Sequence, residues 1–518
     1  MKRLGAVALG VALAGPALAD EGESTTVADA LQVGTNKNYK PLIHKRIAGI
    51  TVSAPIWLKT SGRYFDPVQV DPGTEFAPDA VVDPQVRAGL VLDSELFYAP
   101  LVFKAELEAD FVSGVASGGY DPTPAQADDY VGAPHTNELD TLVLRKAYGR
   151  FSFGPMITLG GGYMTSHWGL GLLANDGAHD WTPGSAYFGD PRGGDRVLRG
   201  FVASGPWTGA DLMFSLAVDQ VQGDDIMTAD DDEATQIIGA VTAGYQKDRQ
   251  IGAYVVHRTQ TAGDGAETVI NAFDVYGKWS GRMGQGLTYS TELEAAFILG
   301  TTELAPSLDF VEHDVMQLGV ASRTRIDGGD YGGVLDFVWA TGDQDFDDNA
   351  QNAFKADPNF EMGLIAFRHV IAAQTARGPA RAGDLDLVGR ANPDLDRFPT
   401  RGSVSNTIAL FPKGFYRPVA GLEIYGGPLF AFAEVPPADP RNSRLGGGQA
   451  RNALDGAPGT YLGTEFDVGV RYRMLLAGTE LTLGLEGGLF MPGDALVDRD
   501  GGVPDALSGG RAMIRYRL

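Results

Sequence analysis

The chain contains no cysteine. This excludes a disulfide framework and a thiolate metal centre. Long hydrophobic runs are also missing. Beyond the N-terminus no stretch reaches the roughly 18 apolar residues that a membrane helix needs, which excludes a helical inner-membrane protein. A barrel stays open, because its strands hide hydrophobicity in alternation. Basic residues are outnumbered: 41 Lys and Arg stand against 66 Asp and Glu, for a net charge of −25. That balance predicts no nucleic-acid partner and solvated acidic loops. The 7 histidines, His44, His135, His167, His179, His257, His313 and His369, are scattered. None falls in an HExxH motif or beside a GxSxG elbow, so the chain does not read as an enzyme. An outer-membrane hydrolase assembled from distant Ser and His positions is the enzymatic alternative.

The N-terminus sets the expected compartment. Lys2 and Arg3 precede an apolar stretch from Leu4 to Leu18, and Ala17-Leu18-Ala19 forms a small-x-small site before Asp20. This predicts a signal peptide over 1–19 rather than an anchor, and export. The mature chain would have 518 − 19 = 499 residues and a net charge of −25 − 2 = −27. Residues 20–46 read as an N-terminal periplasmic segment, and 47–518 as an outer-membrane barrel.

The body of the chain repeats segments of alternating apolar and polar residues. The gaps between them are long and short in turn, as with the outer loops and periplasmic turns of outer-membrane barrels. Strands are predicted at 47–59, 85–98, 101–113, 140–153, 156–165, 196–204, 210–221, 235–247, 249–259, 268–279, 287–299, 311–326, 331–340, 404–415, 418–432, 461–476, 478–490 and 507–518. The fold class is therefore all-β: a transmembrane antiparallel up-and-down β-barrel of eighteen strands, with sixteen or twenty as alternatives. Residues 360–374, inside the long insertion 341–403, read as a short loop helix or as an extra strand. Seventy glycines suit tight turns.

The faces are explicit. Leu101, Phe103, Ala105, Leu107, Ala109 and Phe111 alternate with Lys104, Glu106, Glu108 and Asp110. Ala512, Ile514, Tyr516 and Leu518 alternate with Arg511, Arg515 and Arg517. Trp57, Phe97, Tyr98, Phe153, Trp279, Trp339 and Phe490 are expected in interfacial girdles. Tyr516 and Leu518 resemble the terminal signal of outer-membrane barrels, although that signal closes on an aromatic residue. The expected partners are outer-membrane lipid, lipopolysaccharide and the barrel-assembly machinery.

Three features are candidate sites. The first is the lumen. A basic wall of Arg323, Arg325, Arg471, Arg473, Arg511, Arg515 and Arg517, joined by Lys59 on closure, would face the acidic Glu106, Glu108, Asp110, Glu292, Glu294 and Asp336. The result is either a transverse field favouring anions or mutual neutralisation in a polar lumen. The second is Asp343, Asp345, Asp347 and Asp348. Carboxylates at alternate positions suit Ca2+ in an outer loop, but Asp348 and Phe354 stand where an EF-hand needs Gly and Glu. The third is the stretch His167 to Gly171 followed by Asn175-Asp176-Gly177, which reads as a loop folded on itself or a constriction inside the barrel.

The segments HWGLG…NDG at 167–177, ATGDQDFDDN at 340–349 and GSVSNTIALFPKGFYRP at 402–418 together resemble a family of Gram-negative outer-membrane proteins of this length. The resemblance implies a signal peptide and a barrel, and no particular chemistry. The loop start Thr341-Gly342-Asp343 and the strand rhythm are remotely similar to the alginate-export family. That family implies passage of an anionic polysaccharide through an arginine-lined pore. The expected function is a porin-like channel for passive passage of polar, anionic solutes or polysaccharide, with no cofactor. The alternative is a non-conducting barrel displaying loops for structural or surface contacts.

Overall fold

The computed structural model describes residues 41–518 except 42, 48, 77–79, 96–100, 115–138, 141, 155, 208, 224–231, 245–247, 264, 285, 305–309, 344–347, 377–399, 401 and 477–478. The signal-peptide segment, most of 20–46, and Phe97, Tyr98, His135, Asp345 and Asp347 lie outside the described residues.

Strand β1 runs over Ile50–Ala54 and, past Pro55, over Ile56–Phe65. There follow β2 Val81–Glu95, β3 Leu101–Gly114, β4 Val143–Phe153, β5 Ile157–Thr165, β6 Arg196–Trp207, β7 Leu212–Gly223, β8 Glu233–Ala243 and β9 Arg249–Thr261. Then come β10 Glu267–Met283, β11 Leu287–Thr302, β12 His313–Asp327, β13 Tyr331–Ala340, β14 Thr407–Val419, β15 Leu422–Ala433, β16 Tyr461–Leu476, β17 Thr479–Pro492 and β18 Leu507–Arg517. Each pairs antiparallel with the next, and β18 returns to β1 from Gly509↔Phe65 to Arg517↔Trp57. The ladder is thus a closed eighteen-stranded barrel. Closure satisfies every stave on both edges, as a lipid surround demands.

The solvent preference of the staves is inverted. On β17, Leu485 is 60% exposed while Glu486 on the opposite face is 3% exposed. The outer face carries Leu107, Phe111, Phe214, Leu216, Phe273, Val275, Trp279 and Ile514, all exposed, whereas Lys104, Glu106, Asp110, Asp274, Arg511 and Arg515 are buried inside. Exposed apolar rows around buried polar ones are the pattern of a barrel dissolved in lipid with a polar interior.

The first strands differ from expectation. β1 extends to Phe65 rather than ending near 59, and β2 begins at Val81 rather than 85. Small outward residues, Thr60 and Gly62, made this stretch read as loop. Trp57 pairs with Arg517 and shares the inward row of Lys59, so it is not in an outer girdle. Phe490 also points inward, 1% exposed, within an apolar cluster. Its expected girdle position fails because this lumen has an apolar filling that aromatic residues can pack against. Phe153 and Trp279 lie on the exposed outer face.

Pro55, which has no N–H to give the ladder, interrupts β1, and its carbonyl accepts from Gly89 N at 2.9 Å. Below this break Ile43–Ile47 pairs with Ile50–Ala54. This short strand covers the edge left where the chain ends at Leu518, whose N donates to Ile56 O at 2.9 Å.

Two loops fold into the barrel. Residues 166–195 bury Trp168, Leu172, Trp181, Ala186 and Phe188. Residues 341–406 bury Phe354, Ile365, Phe367 and Val404. The second contains a π-helical turn, Ala366–Ile371, continued by a short α-helix, Ala372–Ala376. The two loops hold each other: Asp357 N donates to Leu172 O at 2.9 Å, Asp190 N to Glu361 Oε2 at 2.8 Å, and Arg192 N to Asn359 Oδ1 at 2.8 Å. Together they form a layer across the lumen.

Candidate functional site

Each inserted loop is anchored on a wall glutamate by the same local device. In the first, Gly169 has φ +56° and lies against the Glu294 carboxylate, which accepts from the backbone N–H groups of Leu170 and Leu172. In the second, Gly363 has φ +71° and lies against Glu465. That carboxylate accepts from Leu364 N at 2.5 Å, Ile365 N at 2.9 Å and Ala366 N at 2.7 Å. A Gly-Leu step with left-handed glycine turns neighbouring amides towards one carboxylate, consecutive ones in the second loop, in the manner of a backbone nest. Glu423 repeats the contact more simply, accepting from Gly184 N at 2.7 Å.

Most expected lumen charges pair across adjacent strands. Asp110 meets Arg87 at 2.5 Å, Glu106 meets Lys146 at 3.1 Å, and Glu108 meets Arg145 at 3.1 Å. Glu292 meets Lys278 at 2.9 Å, and Asp336 sits between Arg323 and Lys413, 2.7 Å from each. Glu486 sits between Arg471 at 2.8 Å and Arg511 at 2.6 Å. Arg473 and Arg517 share Glu480 at 3.9 and 3.7 Å. Arg325 pairs with Asp327. Of the six acids expected to line the lumen, Glu294 takes loop amides instead of a strand cation.

The side formed by β16, β18 and β1 is different. There the cations reach past the wall to carboxylates of the first loop. Asp180 lies 3.1 Å from Arg515, 3.3 Å from Lys59 and 4.0 Å from Arg471. Lys59 also pairs with Asp190, and Arg511 donates to Phe188 O. The Arg471 guanidinium stands 5.2 Å over the Trp181 ring. Burial works against the charge on Asp180, but Lys59, Arg515 and Arg471 outweigh it and hold the carboxyl well below the ordinary carboxylate range.

The loop layer divides the lumen into two vestibules. Towards the short-turn end lies a cavity of about 630 Å³, bordered by His179, Tyr187, Lys278, Arg282, Arg323, Arg325, Glu361 and Arg517. Towards the long-loop end lies one of about 170 Å³, bordered by Asp195, Tyr254, Arg258, Gln317, Lys355 and Asp357.

Of the expected cation loop, Asp343 Oδ2 accepts from Asn352 N at 3.1 Å and Asp348 Oδ1 from Ala350 N at 2.8 Å. The described carboxylates there brace the loop.

Glu465, Glu423, Glu486, Asp180 and Asp190 were not singled out in the sequence. Glu465 and Asp467 occupy the same alternating row as Arg471 and Arg473, so strand parity identifies them as inward. For Asp180 and Asp190 no periodic signal exists, since both sit in irregular backbone.

No protein-family model and no curated relative matches the chain. Solved structures do match in fold. OccAB1 of Acinetobacter baumannii aligns with a TM-score of 0.52 at 10% identity, over 94% of this chain and 99% of that one. OpdL of Pseudomonas aeruginosa aligns with a TM-score of 0.51 at 9% identity, over 90% and 98%. Near end-to-end coverage at this identity means a shared barrel architecture with rebuilt side chains.

Proposed function

We propose that the chain is an outer-membrane channel for small polar anions, with the loop layer as its selective element. The observation that carries this reading is the convergence of Lys59, Arg471 and Arg515 on Asp180. Lys59 and Arg515 take their counter-charge from the loop, while Arg471 divides its charge between Asp180 and the wall residue Glu486. Such a cluster is a site where an anion can exchange for a loop carboxylate. The vestibules on either side give access from both ends. Their volumes fit solutes of a few rings rather than a folded polymer, which favours small anions over an alginate-type polysaccharide. The likeness in fold to OccAB1 and OpdL supports the placement in the outer membrane, with lipid and lipopolysaccharide against the exposed apolar rows.

Planar-bilayer recording tests it. Single-channel steps and a reversal potential on the anion side are expected for the refolded chain. A second reading, a plugged barrel with a structural or surface role, is favoured by the close packing of Leu172, Trp181, Ala186 and Phe188 in the layer. Silent bilayers with correctly folded protein select it.

A further inference from the structure

We propose that His167, Asp176 and His179 form a binding site for one divalent transition-metal ion of the zinc class, built into the loop that crosses the lumen. His179 Nδ1 lies 3.0 Å from Asp176 Oδ1, and His167 Nδ1 lies 3.6 Å from the same oxygen. The two imidazoles stack with centroids 3.8 Å apart. One ligand atom from each residue falls within 4.8 Å of the other two. Zinc ligands at about 2.0–2.1 Å in a tetrahedron stand roughly 3.3 Å apart, so these separations bracket the required geometry.

The chemistry of the trio favours a metal over a closed hydrogen-bond network. His167 and Asp176 have fully buried side chains. Neither ring nitrogen of His167 makes a hydrogen bond of good geometry, nor do Asp176 Oδ2 and His179 Nε2. Buried polar atoms left this way need a partner. Burial also pushes both imidazoles towards their neutral, ligating form.

Surrounding groups fix the ligands. Asp176 Oδ1 accepts from Ala178 N at 3.1 Å, Asn175 Oδ1 from Gly177 N at 3.1 Å, and Arg145 Nη2 donates to the Asp176 carbonyl at 2.5 Å. The cations nearest the site are already matched: Arg145 by Glu108 at 3.1 Å, and Lys146 by Glu106 at 3.1 Å and Glu108 at 3.5 Å. His179 borders the larger vestibule, so water or a solute carboxylate can fill the remaining coordination position. The ion would tie the start of the loop at His167 to the 176–179 turn.

The test is zinc titration by calorimetry on the full refolded chain in detergent, after chelator treatment. One Zn2+ per chain is expected with micromolar or tighter affinity. His179→Gln and the pair His167→Ala/His179→Ala should each weaken it at least tenfold. Barrel integrity is read separately from heat-modifiable gel migration. Co2+ in place of zinc should give the visible bands of a four-coordinate site in the parent and lose them in His179→Gln. A folded parent that takes up no zinc overturns the site, and so does equal uptake by the double variant, which would place the ion on surface carboxylates. Both readouts are independent of whether the barrel conducts.

Discussion

Asp180 of the inserted loop stands 3.1 Å from Arg515 of the last strand. The contact joins a residue in irregular backbone to the wall near the chain terminus, and Lys59 on the first strand completes it from the other side of the closure. The seam of the barrel and the loop layer are therefore one electrostatic unit. A cation row that neutralised itself along the wall would have left the loop without this tether at the seam.

Asp180→Asn takes the carboxylate from Arg515, while Lys59 keeps Asp190 and Arg471 keeps Glu486, so the cluster gains net positive charge. The reversal potential under a salt gradient should move further towards anions. The loop should also loosen, because removing one partner of a buried pair costs about 3–5 kcal/mol. An unchanged reversal potential in a folded variant would separate Asp180 from selectivity.

Arg325 tests the vestibule rather than the layer. Its side chain is about a third exposed and its ion partner Asp327 sits two residues away on the same strand. Arg325→Glu should therefore shift selectivity towards cations with little loss of stability, since a solvated pair is worth about 1 kcal/mol or less. A large drop in melting temperature without a selectivity shift contradicts the assignment.

The anchors predict how the second loop detaches. Glu465 accepts three backbone amides, and a hydrogen bond to a charged group is worth about 1.5–3 kcal/mol. Glu465→Ala should free the 364–376 segment, seen as proteolytic nicking there and larger single-channel conductance, with the barrel intact. Gly169→Ala should act similarly on the first loop. A Cβ in the left-handed region costs about 1–2 kcal/mol, and here it would also meet the Glu294 carboxylate. Wild-type protease resistance in both variants would show that the layer stands without these anchors.

How far the sequence could be read follows from its periodicities. All eighteen staves were visible, because period-two alternation survives wherever lipid faces one side and a polar lumen the other. The error at β1 arose where outward positions are Thr60 and Gly62, which lower the contrast, and that at β2 where Pro84 reads as a strand breaker. Phe490 and Trp57 misled because an aromatic residue at a strand end suits a lipid interface and a loop-packed lumen equally well. The inward charges were legible by parity. Their partners were not, since register decides whether Arg471 meets Glu486 or an acid elsewhere. The Asp180 contact was out of reach, as it depends on the path of a thirty-residue irregular segment, 166–195.

His369 gives the layer a pH dependence. It sits in the π-helical turn, its Nε2 is 2.8 Å from Asp66 O, and its ring stacks on Phe65 with centroids 5.1 Å apart. Burial, with Arg63 adding repulsion, pushes the imidazole down from 6.5 to about 4, against the opposing pull of the Asp66 carbonyl and carboxylate. The folded loop thus prefers neutral histidine. Its contribution is complete above pH 6.5 and is lost as the pH falls towards 4, because the released loop binds a proton that the docked one does not. Over that window the docking weakens by about 3 kcal/mol. Conductance and protease sensitivity of the 366–376 segment should both rise between pH 6.5 and pH 4. His369→Gln keeps a donor for the Asp66 carbonyl and cannot titrate, so it should flatten the response in this range. The same pH response in that variant would overturn the assignment, and Glu361 cannot stand in for it: burial raises its carboxyl, which makes docking stronger, not weaker, as the pH falls.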